Sequence, residues 1–290
     1  MSASVTRLPD RHLLEIGGED CASFLQGLLT NDVESLTPGE GRFAALLSPQ
    51  GKILFDFFVL SRGDAFLIDA PAALRSDLAK RLTLYRLRAR VTIAEASGPV
   101  FAAWGEGAAE WAKARAPFAF ADPRLPALGF RAFLPASVEA HPSASLADYD
   151  AHRIALSIPE GGKDYAYGET FPHDACLDLL DGVSFKKGCF VGQEVVSRMQ
   201  HRGTARTRVL AVSANAPLPQ EGAEIVANGL GVGRLGSASG ERGVALARLD
   251  RVKDALAKGS TFSAGGVPVA LDTPAWANYS LSADAPGAAH

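Results

Sequence analysis

The sequence has few cysteines, no long apolar run and little excess of charge of either sign. Its three cysteines, Cys21, Cys176 and Cys189, are widely separated, and no C-x-x-C pair occurs. This spacing excludes a disulfide framework and a complete zinc or cluster site. No apolar segment approaches the roughly 20 residues that cross a bilayer. The formal net charge of −3 gives no general attraction to nucleic acid or anionic lipid, so we expect neither a direct nucleic-acid partner nor a membrane partner.

Size and composition favour a globular protein of two or three domains, because 290 residues with 47% hydrophobic content can bury a sizeable core. Free thiols are typical of a reducing compartment. The start of the chain lacks the apolar core of a secretory signal and the Arg- and Ser-rich composition of a transit peptide. We therefore expect a cytoplasmic protein.

Changes in hydrophobic pattern divide the chain into regions. Strands and helices alternate over 1–96, which predicts a first α+β domain. We expect a second small α+β unit and a linker over 97–146. A loop region that contains the main motif, 147–205, is expected to complete the first domain. Short strands between glycine-rich turns over 206–281 predict a small β-barrel, and the small residues of 282–290 predict a disordered tail.

The first helix of the chain is predicted after Asp20, which we expect to cap it, with an apolar face that includes Leu25 and Leu28. The helix is expected to end near Asn31 and Asp32. Those two side chains either satisfy the backbone of a turn or point into a ligand site. The pattern alone leaves both alternatives open.

Three arginines alternate with other residues between Tyr85 and Val91. As a strand, this segment would place Arg86, Arg88 and Arg90 on one face of a sheet. The stripe is either a solvated strand face or a binding site for an anionic ligand.

One stretch, 185–194, holds a thiol, two ammonium groups, two glycines and an amide next to a carboxylate. A helix is predicted after Gly192, since apolar residues recur there at helical spacing. Cys189 then lies just before a helix N-terminus, where unpaired N–H groups favour a thiolate. The ammonium groups of Lys186 and Lys187 are expected to add to this effect.

Other residues of this stretch also have roles that follow from their chemistry. Gly188 and Gly192 allow the backbone to bend tightly and to approach a bound group. Gln193 and Glu194 lie in the first turn of the predicted helix, where side chains can return hydrogen bonds to free backbone N–H groups. The alternative is that Cys189 is a small buried hydrophobe in a loop that lysines only solvate.

The motif reads K-G-C-F-V-G-Q-E and is preceded by V-S-F and followed by V-V-S-R-M-Q-H-R-G. It resembles the signature of the YgfZ/Iba57 family of folate-binding iron–sulfur cluster assembly factors, relatives of the glycine-cleavage T-protein (aminomethyltransferase). The resemblance extends over about residues 10 to 275. Further segments resemble the family in the same order: F-L-Q-G at 24–27, T-N-D-V at 30–33, L-S-P-Q-G-K at 47–52, Y-R-L-R at 85–88, and I-P-E at 158–160 with Gly162 and Asp164.

The resemblance implies an α+β protein of T-protein-like architecture, with two ferredoxin-like α+β units followed by a small C-terminal β-barrel. It implies a factor for assembly or repair of iron–sulfur clusters in target enzymes, including enzymes that thiolate tRNA. Tetrahydrofolate or a related folate is the implied cofactor. Iron–sulfur apo-proteins or cluster carrier proteins are the implied partners, and the chain is expected to be a monomer.

The same resemblance implies roles for individual residues. Cys189 is the expected functional thiol, as a transient cluster ligand, a redox thiol or a covalent site, with no resident metal ion. Lys187, Gln193 and Glu194 are expected to act with it. The residues expected to contact the folate are Arg86, Arg88, Asn31, Asp32, Lys186, Gly188 and Gly192.

A second hypothesis is a tetrahydrofolate-dependent aminomethyl or one-carbon transferase of T-protein type. T-protein-like chains carry R-x-E-A-G where this chain reads Arg153-Ile154-Ala155-Leu156-Ser157. Ala155 thus replaces the carboxylate that the related enzymes use at the folate. We therefore expect folate binding without turnover.

Overall fold

The structure is a computed structural model that describes residues 2–203 and 205–282. The rest of the predicted tail, 283–290, lies outside the described residues. The strands are β1 Ser4–Arg7, β2 Arg11–Gly17, β3 Gly41–Leu47, β4 Ile53–Ser61, β5 Ala65–Pro71, β6 Thr92–Ala96, β7 Val100–Trp104, β8 Ala119–Ala121, β9 Phe130–Phe133, β10 Thr207–Ala214, β11 Glu224–Ala227, β12 Leu230–Ser239, β13 Arg242–Arg248, β14 Phe262–Ala264 and β15 Val267–Asp272. The α-helices are α1 Cys21–Leu28, α2 Arg75–Arg86, α3 Ala108–Lys113, α4 Leu146–Ala155, α5 Gln193–Arg202 and α6 Leu249–Ala257. No helix in the described ranges is long and apolar enough to cross a membrane.

The chain divides into two compact units. The first unit contains the residues up to 149 together with 180–194. The second unit contains 150–179 and the chain from 195 onward. The segment that carries Cys189 therefore returns to the first unit.

The first unit contains a five-stranded antiparallel sheet with strand order β3-β4-β5-β2-β6. Leu25 and Leu28 of α1 and Leu78 and Leu82 of α2 belong to the core cluster of this sheet, and burial of each leucine stabilises the fold by about 1.5–3 kcal/mol. The predicted apolar face of α1 is confirmed. The Asp20 side chain makes no capping hydrogen bond at the start of α1, so its predicted cap is wrong; it accepts hydrogen bonds from an arginine instead.

The prediction of a strand over 85–91 is wrong. Helix α2 continues to Arg86, because the leucines of its buried face pack on the sheet and this packing decides the local structure. The next residue, Leu87, has a φ of +46°, which lies outside the helical region and ends the helix. Arg86 and Arg88 therefore do not share a strand face, and Arg90 forms ion pairs with two carboxylates just before α1.

A second antiparallel sheet in the first unit has the strand order β1-β7-β9-β8 and packs with α3. Its edge strand β1 pairs with β7, so residues 4–7 lie in this sheet and not in the first. Asp69 of the first sheet accepts a hydrogen bond from Arg11 at 2.7 Å and from Arg131 of the second sheet at 2.8 Å. A buried ion pair thus joins the two sheets.

The second unit contains a closed barrel of six strands in the order β10-β13-β12-β11-β14-β15. The predicted C-terminal β-barrel is therefore confirmed. Helix α6 covers part of it, since Val252 and Ala255 belong to the barrel core.

A buried arginine connects α4 to the barrel within the second unit. Arg153 is 1% exposed and donates to Asp164 at 2.9 Å and to the Ser237 hydroxyl at 2.7 Å. Asp164 also accepts a hydrogen bond from the Ser237 backbone N–H at 2.6 Å. The glycine-rich segment 158–167 is therefore held through its buried carboxylate.

Candidate functional site

The segment before Cys189 is tied to the turn that follows α1. The Thr30 hydroxyl donates to the Gly182 carbonyl at 2.7 Å, and the Asn31 amide donates to the Asp181 carbonyl at 2.6 Å. The Ser184 N–H donates back to the Thr30 carbonyl at 2.9 Å. These contacts join positions more than a hundred residues apart in the chain. They fix the start of the loop that carries the thiol.

Lys187 gives this loop a second attachment at the same place. Its half-buried ammonium group donates to three backbone carbonyls at the end of α1, those of Gln26 and Leu29 at 2.6 Å and that of Asn31 at 3.1 Å. Burial lowers the pKa of Lys187 to about 8, against the field of nearby carboxylates. The three donors of this ammonium group are thus directed at carbonyl oxygens of the first unit. We infer that Lys187 positions the loop.

The other end of the loop is held by Gly192. Its φ is +81°, and a β-carbon there would lie 2.6 Å from the Ser48 carbonyl oxygen in the turn between β3 and β4. Only glycine fits both the backbone conformation and this approach. Phe190 is buried, and Val191 packs against the core of the first sheet. Helix α5 begins directly after Gly192, at Gln193.

Between these attachments the loop is exposed. Phe185, Lys186, Gly188 and Cys189 are all accessible to solvent. A β-carbon on Gly188 would face open space, so the structure gives no steric reason for glycine at that position. The thiol is displayed at the exposed part of a loop whose two ends are fixed.

The other two cysteines differ from Cys189. Cys21 and Cys176 are buried, and burial raises the pKa of both thiols. Cys189 is the accessible thiol of the three. Within the described ranges, no group of three or more His, Cys, Asp or Glu side chains is arranged to hold a metal ion.

The predicted ligand residues Asn31 and Asp32 are engaged inside the first unit. The Asn31 amide nitrogen donates to the Phe43 and Asp181 carbonyls, and its oxygen accepts the Asp32 N–H at 2.8 Å. Burial alone would raise the pKa of Asp32, but hydrogen bonds, among them one from Gln26, lower it overall. The turn role weighed for both residues is the one the geometry supports.

Sequence reasoning missed two residues of this site, Gln26 and Thr30. Gln26 bridges the turn, since its amide donates to Asp32 and its oxygen accepts the Val33 N–H. Both residues lie in segments that resemble the family, F-L-Q-G and T-N-D-V, and this resemblance could have indicated them. The predicted folate contacts Arg86 and Arg88 are both exposed; Arg86 is the last residue of α2, and Arg88 follows the helix.

Comparison with known proteins shows which family has this sequence and fold. Residues 206–279 match the family model of the CAF17 C-terminal β-barrel domain. The human mitochondrial iron–sulfur cluster assembly factor IBA57 is 31% identical to this chain, over 93% of the chain and 84% of its own length. The chain belongs to the IBA57 family. The mitochondrial IBA57 homologue of Coccidioides immitis is 32% identical over 87% of the chain and 73% of its own length.

The fold of this IBA57-family chain is that of the T-protein. The glycine cleavage system aminomethyltransferase T from Bartonella henselae matches it with a TM-score of 0.75 and 18% identity, over 95% of this chain and 86% of that one. The predicted family resemblance and the T-protein-like architecture are therefore confirmed. The prediction of a cytoplasmic location is contradicted, because the IBA57 relatives are named as mitochondrial proteins.

Proposed function

We propose that this IBA57-family chain assists the assembly or repair of iron–sulfur clusters in target enzymes, including tRNA-thiolating ones, and that Cys189 is its working thiol. The observation that supports this is the display of Cys189 on a loop anchored at Lys187 and Gly192. The relatives named as iron–sulfur cluster assembly factors give the process. The cluster is the cargo of this reaction.

The chemistry of a single thiol fits a transfer role. Thiolates are the usual ligands of iron–sulfur clusters, which take about four protein ligands. Cys189 can supply only one of them, and the described residues contain no arrangement of three such ligands. The other ligands then come from a partner, an iron–sulfur apo-protein or a cluster carrier protein. A thiol exposed on a fixed loop can reach a cluster at the surface of such a partner.

The decisive test is Cys189→Ser in cells that lack the chromosomal copy. Serine is nearly isosteric, and because the position is exposed the melting temperature should change by no more than about 1 °C. We expect iron–sulfur enzyme activities to stay low with this variant. They should recover with the control Cys21→Ser, which makes the same substitution at a buried cysteine. Full recovery with Cys189→Ser would show that the thiol is not the working group.

We further propose that the chain binds a reduced folate without transferring a one-carbon group. The T-protein-like fold supports binding. The strand that would have aligned Arg86 and Arg88 for the folate carboxylates is absent, so this proposal does not depend on them. Position 155, at the exposed end of α4, holds alanine where the transferases use a carboxylate. A site without that group lacks a charge placed for the transition state.

Calorimetry with tetrahydrofolate tests the first half of the folate proposal, and we expect saturable binding. An aminomethyl-transfer assay with the other glycine-cleavage components tests the second half, and we expect background rates. The absence of binding would remove the folate from the proposed function. Measurable transfer would favour the second hypothesis, a T-protein-type transferase.

A further inference from the structure

Two leucines at the end of α2 are exposed to an unusual degree. Leu84 is 70% exposed and Leu87 is 87% exposed, which makes Leu87 the most exposed large apolar side chain of the described chain. Leu84 lies in the last turns of the helix, and Leu87 follows its last residue. Neither side chain contributes to the core that α2 forms with the first sheet.

The backbone of Leu87 is also strained. Its φ of +46° with ψ of −110° lies in a region that favours glycine. Leucine at this position therefore adds strain without any burial in return. A strained residue with a largely exposed apolar side chain is a candidate for contact with another molecule.

Three arginines without carboxylate partners lie in the same segment of the described chain as these leucines. Arg81, Arg86 and Arg88 are exposed, and none forms an ion pair with another described residue. Cations in the last turn of a helix complement its macrodipole, which accounts for Arg86. Arg88 lies beyond the helix, and the macrodipole explains neither it nor the leucines.

We propose that this patch, Arg81, Leu84, Arg86, Leu87 and Arg88, is a docking site for an acidic protein surface with an apolar recess. Interfaces commonly place apolar side chains inside a polar rim, and three exposed guanidinium groups without a carboxylate partner among the described residues favour a partner rich in carboxylates. The same charges argue against a second copy of this chain. A lipid surface fits less well, because the patch has only two apolar side chains and the whole chain carries a net charge of −3.

Crosslinking in cells gives the first test. The photoreactive residue p-benzoylphenylalanine replaces Leu87, and in the control it replaces Lys113, an exposed residue of the last turn of α3. We expect a crosslink at position 87 to a peptide of another protein that is net negative and contains apolar residues. A crosslink to this chain itself, a lipid adduct, or a yield no greater than at position 113 would overturn the proposal.

The second test measures binding of the full chain to the purified partner protein that the crosslink identifies. Arg86→Glu should raise the Kd about tenfold, and the Kd of the unmodified chain should rise with salt. Lys113→Glu makes the same charge change in the last turn of another helix, so its effect on helix stability is matched. We expect it to change the Kd by less than about twofold. Equal effects of the two variants would overturn the proposal.

Leu87→Gly separates docking from folding. Glycine relieves the positive φ, so the melting temperature should stay the same or rise. Loss of an apolar contact at the centre of an interface should raise the Kd about tenfold. A fall in melting temperature with unchanged Kd would give Leu87 a purely structural role and refute the docking site.

The same variants distinguish docking from cofactor binding. Tetrahydrofolate affinity should be unaffected by Leu87→Gly. If Arg86→Glu instead weakens folate binding and leaves the crosslinked protein bound as before, the arginines serve the folate carboxylates and the docking proposal fails. Neither result depends on Cys189, so the proposed role of the thiol is tested separately.

Discussion

Replacement of Lys187 by methionine tests whether this residue positions the loop or acts on the thiol. Methionine keeps most of the side-chain volume and removes the three donors that contact carbonyls at the end of α1. Hydrogen bonds from a charged donor contribute about 1.5–3 kcal/mol, and a cation near a helix C-terminus adds about 0.3–1 kcal/mol. Burial of the ammonium group offsets part of this. We expect the free energy of unfolding to fall by about 1–3 kcal/mol.

The measurement is thermal unfolding at neutral pH, where this loss corresponds to a fall of about 2–5 °C for a chain of 290 residues. Lys186→Met is the matched control, because the neighbouring lysine is exposed and its replacement removes the same charge. Hydrogen exchange should become faster at 181–192 only in Lys187→Met. An unchanged melting temperature and unchanged exchange, together with lost activity, would refute the positioning role and favour direct action on Cys189.

The pH dependence of this difference has a defined sign. Burial lowers the pKa of Lys187 from 10.5 to about 8. Between these values the unfolded chain binds more protons at this residue than the folded chain, so the free energy of unfolding rises with pH. Below about pH 8 the contribution is constant, because both states are protonated. The stability advantage of Lys187 over methionine should therefore grow between about pH 8 and 10.5. After a discount for partial exposure, the growth is about 1–2 kcal/mol.

Two further predictions concern the other attachments. Gly192→Ala should lower the free energy of unfolding by about 2 kcal/mol or more, because of its positive φ and its closeness to Ser48, whereas Gly188→Ala should have little effect in denaturant titrations. Arg153→Met should cost about 3–5 kcal/mol in the same titrations, because it leaves the buried Asp164 carboxylate without its cation. Adding Asp164→Leu to that variant should recover part of the loss, and no recovery would mean that the pair does not act as a unit.

Much of the architecture follows from local patterns in the sequence. The apolar face of α1 and the short strands of the barrel repeat at the spacing of their element type, so packing agrees with the pattern. The segment 85–91 shows where such reasoning fails. Its alternation fits a strand. However, Leu78 and Leu82 form the buried face of α2, and their packing extends the helix to Arg86. Alternation over a few exposed residues does not decide the structure when a neighbouring helix is already anchored.

The candidate site was predictable only in its exposed part. A cysteine between glycines and lysines indicates a reactive loop, and Cys189 is indeed the accessible thiol. The supports of that loop come from residues that lie far away along the chain. Lys187 meets the end of α1 at a separation of 161 residues, and Gly192 meets the turn at Ser48. No local pattern reports such a contact, and the charge of Lys187 suggested an effect on the thiol instead.

The two attachments explain how a lone thiol on a loop can be useful. Ordering a free residue costs about 1–2 kcal/mol in backbone entropy, so a mobile loop would lose that free energy each time it met a cluster. In this chain folding has already fixed Ser184 and Gly192, and the exposed residues between them are few. A transfer factor must also release its cargo. One thiol presented at low entropic cost favours rapid encounter, and the lack of further ligands favours release to a partner that supplies more of them.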